Sequence, residues 1–262
     1  MKTVSKSLLL ISLIVLLSCV REDVRIEDTN FKKSTELDKL ESFFKRSELD
    51  SIRACNIIKK HRIIQHLTHL RAMDSGGQKY YLLEKDDITE MINSVTEGIY
   101  SNYILINKIG DIVYSKNNDD LFGLNINKEN EPVPIKRCFS NRGGVYFEDI
   151  TNEAPLSKNY SLFVSSPVYV GEDFHGVLIL QIDAKKINEI LDTGTEILNR
   201  DGLFKVSPFE DKLLSKYSEF YKINLDILDK NEVFLLSTHN EKLKFSKFSF
   251  KNINWILMNR EL

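Results

Sequence analysis

The chain of 262 residues contains only three cysteines, too few for the disulfide framework that staples small secreted domains. It also lacks an excess of positive charge, since 36 Lys and Arg residues stand against 38 Asp and Glu residues. We therefore expect neither a nucleic-acid footprint nor a polybasic membrane patch. A hydrophobic fraction of 42% and a charged fraction of 28% exclude a disordered chain and favour one globular body of one or two packed modules.

Catalytic motifs are missing as well. The sequence has no G-x-S-x-G elbow, no Walker phosphate loop, no H-E-x-x-H and no paired C-x-x-C. His66 and His69 can share one helix face, but no nearby residue clearly completes a metal shell, so we interpret them as ordinary surface or partly buried histidines. The sequence therefore predicts no enzyme, no metal site and no cofactor.

Long apolar runs are scarce, with one exception near the N-terminus. The run from Leu8 to Leu17 follows a basic segment that contains Lys2 and Lys6. Its length of about ten residues is typical of a signal-peptide core and is too short to span a bilayer. This pattern predicts a signal peptide over 1–18.

The end of this run, Leu16-Leu17-Ser18-Cys19, resembles a bacterial lipobox. The resemblance implies that Cys19 becomes the first residue after cleavage and carries acyl chains such as palmitate. Several acyl chains on one residue give stable anchoring, so the mature protein would be tethered to a membrane without spanning it. The other interpretation is a plain secretory signal with an incidental cysteine.

Two further cysteines, Cys55 and Cys138, lie far apart in the sequence. Export to an oxidising compartment permits a disulfide between them, but free buried cysteines are also common. The sequence leaves both alternatives open.

The rest of the chain divides by composition and periodicity into four segments. A polar stretch of mixed charge predicts a flexible tether. Apolar residues at helical spacing then predict one long amphipathic helix, either continuous or bent or broken near Ser47, that ends before Gly76-Gly77. Strand and turn patterns follow in two stretches, of which the second is smaller. The segments are the tether 19–33, the helix 34–79, the first module 80–193 and the second module 194–262.

The stretch from Tyr160 to Asp183 organises the first module. Two β-rich runs, Leu162 to Val170 and Gly176 to Ile182, flank a short polar connection of the kind that closes a hairpin. The second run is apolar at nearly every position, which indicates a strand covered on both faces. We therefore predict that it lies at the centre of a sheet.

A weak internal repeat links the two modules. Aligned on glycine, the segment from Glu196 to Pro208 shares three residues with the segment from Ile104 to Lys116. Both segments read as a β-run, a polar turn with glycine and a second β-run, which suggests that a second module of similar design begins near residue 195.

The order of these elements resembles the extracytoplasmic Cache sensor family, relatives of the PAS fold. The matching pieces are a long leading helix, LINKIGDIVYSKNNDDLFGLNI (Leu105 to Ile126), a short helical element, GGVYFED (Gly143 to Asp149), YSLFVSSPVY and HGVLILQID. The resemblance covers roughly Lys33 to Leu262 and is closest to the double-module type. It implies an α+β fold with the long helix packed against antiparallel sheet modules, one full and one smaller.

The resemblance also implies a ligand site in the first module. In such sensors an amino acid, organic acid or amine binds between the sheet and the loops above it. By position, Asp183 would receive an ammonium group, Tyr146 and Asp149 would add polar contacts, and Lys136 and Arg137 would hold a carboxylate. For Asp183 an equal alternative is that it caps the helix that follows.

The sequence departs from the family pattern in two places. The run from Pro132 to Arg137 lacks the Trp that amino-acid binders carry there, which leaves the specificity for amino acids open, although the Arg137 guanidinium suits a carboxylate. The chain also reaches Leu262 with no apolar run of 18 or more residues after the signal. We therefore expect no signalling output of its own.

Together, these features predict a lipid-anchored small-molecule-binding lipoprotein of the sensor type on the extracytoplasmic side of the cell envelope, periplasmic or at the outer surface. The alternative is a structural or protein-interaction lipoprotein that uses the same fold as a scaffold for an envelope or host partner.

Overall fold

Helices form where apolar residues recur at helical spacing, and strands form where apolar runs are continuous or alternate. The computed structural model describes residues 25–27, 35–73, 77–128, 133–152, 159–220, 233–237 and 242–261. Within these ranges the chain is α+β, with helices packed on two antiparallel sheets. The predicted fold class is therefore confirmed.

The predicted N-terminal helix is divided in the structure. The chain forms α1 (Thr35–Lys60), α2 (Ile63–Ala72) and α3 (Gly77–Asn93). The single helix expected over 34–79 is wrong in its extent, because Arg62 adopts a left-handed backbone conformation with φ 52. A left-handed residue interrupts the ladder of helical hydrogen bonds, so a new helix begins after it.

The first sheet has five antiparallel strands in the order β3-β2-β6-β5-β4. They are β2 (Asn102–Asn107), β3 (Ile112–Ser115), β4 (Tyr146–Thr151), β5 (Ser161–Val170) and β6 (Asp173–Asp183). A 3-10 turn (Asp119–Leu121) and α4 (Val133–Ser140) lie between β3 and β4, and α5 (Ala184–Ile190) follows β6. Strand β6 lies at the centre, between β2 and β5, which confirms the predicted hairpin and its buried second strand.

The second sheet has six strands in the order β1-β9-β10-β11-β7-β8. They are β1 (Arg25–Glu27), β7 (Glu196–Asn199), β8 (Phe204–Val206), β9 (Val233–Ser237), β10 (Lys242–Phe250) and β11 (Ile253–Glu261). A 3-10 turn (Glu210–Lys212) and α6 (Tyr217–Phe220) follow β8. Strand β1 lies inside the predicted tether 19–33 and pairs with β9, so this part of the tether is structured.

One helix supplies core to both sheets. The Phe44 side chain on α1 is fully buried, and its ring lies 5.2 Å from Phe147 of the first sheet. On the other side the same ring lies 5.4 Å from Phe248 and 5.3 Å from Trp255, both in the second sheet. The two sheets therefore share one continuous core around α1.

The two turns aligned by the weak sequence repeat have the same local geometry. The Asn107 side-chain oxygen accepts hydrogen bonds from the backbone N–H groups two and four residues later, at 3.1 and 2.9 Å. The Asn199 oxygen does the same at 3.1 and 2.8 Å. Gly110 and Gly202 follow at the same offset with φ 92 and φ 75, a conformation that suits glycine.

Cys55 and Cys138 are free thiols and form no disulfide with each other. Burial raises the pKa of the Cys55 thiol to about 12 and also raises the pKa of Cys138. Both thiols therefore stay protonated at neutral pH and behave as small core residues.

The predicted signal peptide 1–18 and the lipidation site Cys19 lie outside the described residues. Among the helices of the described ranges, none combines the length and the apolar character that a membrane crossing requires.

Phe44 contacts both sheets, so a substitution there tests the shared core. Replacing Phe44 by Ala should lower the free energy of unfolding by about 3–5 kcal/mol, because a buried ring is lost and a cavity remains. Ile52→Ala on the same helix is the control, since Ile52 is 42% exposed. Urea denaturation measures both variants, and similar losses at the two positions would contradict the shared core.

Gly176 lies on β6 in the part of the strand that pairs with β2. A Cβ atom at this position would lie 2.0 Å from the Ile106 carbonyl oxygen. Gly176→Ala should therefore separate the two central strands and lower the melting temperature strongly. Gly143→Ala is the matched control, because a Cβ atom at Gly143 meets no atom within 4 Å. Equal melting temperatures for the two variants would refute the close contact.

Candidate functional site

The first sheet has two differently covered faces. Leu178, Leu180 and Ile182 of β6 point to the core that contains α1. The alternate residues Val177 and Ile179 point to the other face, where they belong to a cluster with three residues of α4. Because side chains alternate along a strand, every second residue of these strands lies on the face that carries α4.

A buried row of side chains crosses four strands on the α4 face. Its members are backbone neighbours across the sheet, and each is at most 5% exposed. The row consists of Asn102 on β2, Gln181 on β6, Phe163 on β5 and Glu148 on β4. Asn102 bonds to Ser115 and to the Asn117 N–H, and Glu148 also has protein partners, whereas Gln181 Oε1 has none. A buried polar atom without a partner is costly, so the row around Gln181 is the candidate site.

Glu148 is the charged member of the row. Its Oε1 atom accepts a hydrogen bond from Arg137 Nη1 at 2.7 Å, and its Oε2 atom accepts one from the Tyr146 hydroxyl at 2.8 Å. Burial, followed by the hydrogen bond to Glu148 and the charge of Glu148, raises the pKa of Tyr146. The phenol therefore remains protonated and donates to the carboxylate.

Gln181 is the member with unused hydrogen-bonding capacity. Its Nε2 atom donates to Ser161 Oγ at 3.0 Å, whereas its Oε1 atom is buried and has no hydrogen-bond partner. An unsatisfied buried acceptor costs about 1–3 kcal/mol, so a donor group on a bound molecule would be favoured here. Sequence reasoning missed Gln181, although it is the one polar residue in the apolar run Gly176 to Ile182.

Asp183 lies on the same face as Gln181, at the end of β6. Its carboxylate accepts hydrogen bonds from Ser101 Oγ at 2.7 Å, Ser161 Oγ at 3.3 Å and Asn159 Nδ2 at 3.2 Å. It makes no side-chain capping bond to α5, which was the alternative role. Asp183 therefore fixes the edge of the site, and Ser161 connects it to Gln181.

Asp149 does not join the row. Its Oδ1 atom accepts a hydrogen bond from Trp255 Nε1 at 2.8 Å, and its Oδ2 atom lies 3.3 Å from Lys205 Nζ. Strand alternation is the reason, since Tyr146 and Glu148 point to α4 while Asp149 points to the second sheet. The carboxylate that lies beside Tyr146 is thus Glu148, whereas Asp149 lies on the opposite face of β4.

The two basic side chains of α4 also have different partners. The Arg137 side chain reaches the row through Glu148, and 60% of it remains exposed. Lys136 instead donates to the backbone oxygen of Lys128 at 3.1 Å. Of the predicted site residues, the structure therefore brings Arg137 and Tyr146 together, with Asp183 at the edge, and places Lys136 and Asp149 elsewhere.

A groove of about 520 Å³ lies outside this row, along the outer side of α1. Its charged side chains are engaged with other residues, because Lys39 pairs with Asp192 at 2.6 Å and Arg46 pairs with Glu97 at 2.7 Å. Both ion pairs are exposed to solvent and contribute little to the stability of the fold. Within the part of the chain that the structure describes, no group of three or more His, Cys, Asp or Glu side chains could hold a metal ion.

Comparison with known proteins finds similarity at the level of structure. No protein-family model matches the chain, and no curated protein matches it either. An extracellular ligand-binding receptor from Desulfohalobium retbaense superposes with a TM-score of 0.60 at 13% identity, over 85% of this chain and 38% of that chain. This chain therefore spans little more than a third of that receptor.

A second structure matches over nearly its whole length. The ligand-binding domain of the Pseudomonas fluorescens chemoreceptor CtaA in complex with L-isoleucine gives a TM-score of 0.56 at 11% identity, covering 86% of this chain and 88% of that chain. The same domain in complex with L-serine gives 0.55 at 10% identity, covering 85% and 90%. At such identities the likeness concerns the fold alone. The chain has the Cache-like fold of extracellular ligand-binding sensor domains.

Proposed function

We propose that this chain is an extracytoplasmic, sensor-type domain that binds a small molecule at the row formed by Asn102, Gln181, Phe163 and Glu148. The observation that carries the proposal is the buried Gln181 Oε1 atom, which has no hydrogen-bond partner among the described residues. The fold it shares with ligand-binding sensor domains supports the same conclusion.

The charges of the site favour a small zwitterion or a neutral polar molecule. Arg137 is already paired with Glu148, so the two side chains together carry no net charge. The buried Gln181 Oε1 atom can accept a hydrogen bond from an ammonium or hydroxyl group of the ligand. Amino acids are therefore the first ligand class to test, followed by organic acids and amines.

Gln181→Leu tests the proposal directly. The substitution removes the buried unsatisfied acceptor together with the hydrogen bond from Nε2 to Ser161, so the melting temperature of the ligand-free protein should change little. Any thermal shift that an amino acid, organic acid or amine gives in the wild type should disappear. A ligand at 100 times its dissociation constant stabilises by about 2.7 kcal/mol, which a thermal-shift assay resolves.

Gln78→Leu is the matched control, because Gln78 is exposed on α3 and should leave the ligand response intact. A panel that produces no shift in the wild type, or a shift that survives in Gln181→Leu, would overturn the proposed site.

We further propose that the domain is anchored by lipid at Cys19 and faces away from the cytoplasm. The support is the lipobox-like sequence Leu16-Leu17-Ser18-Cys19 after an apolar run. Processing should be sensitive to globomycin, and labelling with a radioactive or clickable fatty acid should be lost in Cys19→Ala and retained in Cys55→Ala. Normal labelling of Cys19→Ala would refute the anchor.

One observation supports the alternative of a scaffold for an envelope or host protein. Helix α3 exposes Tyr80 by 49%, Leu82 by 47% and Leu83 by 70%. Tyr80 and Leu83 lie one turn apart on the same side, and clustered exposed apolar side chains mark protein contacts. The scaffold alternative predicts no ligand shift in the same panel and weaker partner binding in Leu83→Ser.

A further inference from the structure

Strand β4 carries two sets of side chains with different neighbours. Tyr146 and Glu148 belong to the candidate site, where they bond to each other and to Arg137. Phe147 and Asp149 alternate with them and contact the second sheet. Since β4 is an edge strand of the first sheet, the second module occupies the side that another strand would otherwise take.

The turn between β10 and β11 forms hydrogen bonds with the free edge of β4. Asn252 Oδ1 accepts a hydrogen bond from the Phe147 backbone N–H at 3.3 Å, and Asn252 Nδ2 donates to the Phe147 carbonyl. The side-chain amide thus makes the pair of bonds that a neighbouring strand would make. The preceding residue, Lys251, has φ 51, and its Nζ atom donates to the Val145 carbonyl at 3.4 Å. The turn therefore contacts Phe147 in β4 and Val145 just before the strand.

A polar contact fixes the next position of β4. Asp149 accepts from the indole N–H of Trp255 at 2.8 Å, and Lys205 lies 3.3 Å from the other oxygen. Lys205 Nζ also donates to the Ile150 carbonyl at 2.7 Å. Trp255 is only 1% exposed and Lys205 only 8%, so the two donors are shielded from water, while the Asp149 side chain is 33% exposed.

The two sets of contacts cannot move independently. Glu148 and Asp149 are adjacent residues, about 3.8 Å apart between their Cα atoms, on a backbone with few soft dihedral angles. A rotation of β4 that moves Glu148 relative to Arg137 therefore displaces Asp149 relative to Trp255. The pairing of β4 with β5 is irregular between Glu148 and Thr151, so the strand is not clamped there by a regular ladder.

We propose that β4 is a mechanical link that transmits a change at the candidate site to the β10–β11 hairpin of the second module. The link rests on the proposed function for its natural trigger, a bound small molecule, but its geometry can be tested without any ligand. A change in the hydrogen bonds of Glu148 should therefore change the environment of the Trp255 side chain.

The chain contains a single tryptophan, so fluorescence excited at the long-wavelength edge, where tyrosine does not absorb, reports on Trp255 alone. Arg137→Ala provides the input, because it removes the cation that holds the buried Glu148 carboxylate. Arg71→Ala is the matched control, since Arg71 is an exposed arginine of α2 that bonds to the Gly123 carbonyl, away from β4. Emission spectra and hydrogen exchange of the amides in Ile253–Glu261 are measured for both.

Arg137→Ala should shift the emission of Trp255 and accelerate exchange in the hairpin by roughly twofold or more, as expected for residues that share a network. Arg71→Ala should change neither signal. In an Asn252→Ala, Asp149→Asn background, adding Arg137→Ala should produce no additional acceleration of exchange. Tyr146→Phe, which removes one hydroxyl from the same carboxylate, provides a milder input should Arg137→Ala unfold.

Unchanged emission and exchange in Arg137→Ala and Tyr146→Phe would overturn the link, as would an equal response to Arg71→Ala. This outcome is separate from the ligand test. A response of Trp255 to Arg137→Ala with a silent ligand panel would leave the link standing and remove the proposed function. A ligand-induced thermal shift, together with unchanged Trp255 emission in Arg137→Ala, would support the proposed function and overturn the link.

Discussion

The packing of α1 against both sheets is the constraint on which the rest of the structure depends. Phe44 contacts rings from the first and the second sheet, so one helix fixes how the two sheets lie relative to each other. Since α1 covers one face of the first sheet, only the opposite face can present polar side chains to a ligand. The row under α4 and the contacts of β4 with the second module both follow from this arrangement.

Much of the fold could be predicted from the sequence because its signals are local. The apolar run in β6 indicated a central strand, and the asparagine and glycine turns at Asn107 and Asn199 indicated a duplicated design. Such patterns depend on strand periodicity and turn chemistry, which act over a few residues. The break at Arg62 and the pairing of β1 with β9 were missed, because neither leaves a glycine, a proline or a regular run as a local signal.

The site was only partly predictable. Arg137 and Tyr146 were identified by resemblance, but Asp149 was chosen where strand alternation from Tyr146 would have given Glu148. Gln181 was overlooked because the run around it is apolar, so the residue was read as part of a core strand. Its importance depends on its neighbours across the sheet, Asn102 and Phe163, and such register is set by distant parts of the chain.

The central claim is that a small molecule binds on the α4 face of the first sheet. A crystal structure of the protein grown with a mixture of amino acids tests this most directly. The account predicts electron density for one molecule that bonds to Gln181 Oε1 and reaches Arg137, with Glu148 and Tyr146 within hydrogen-bond distance. A molecule held elsewhere, or a row in which Gln181 Oε1 bonds only to protein atoms, would contradict it.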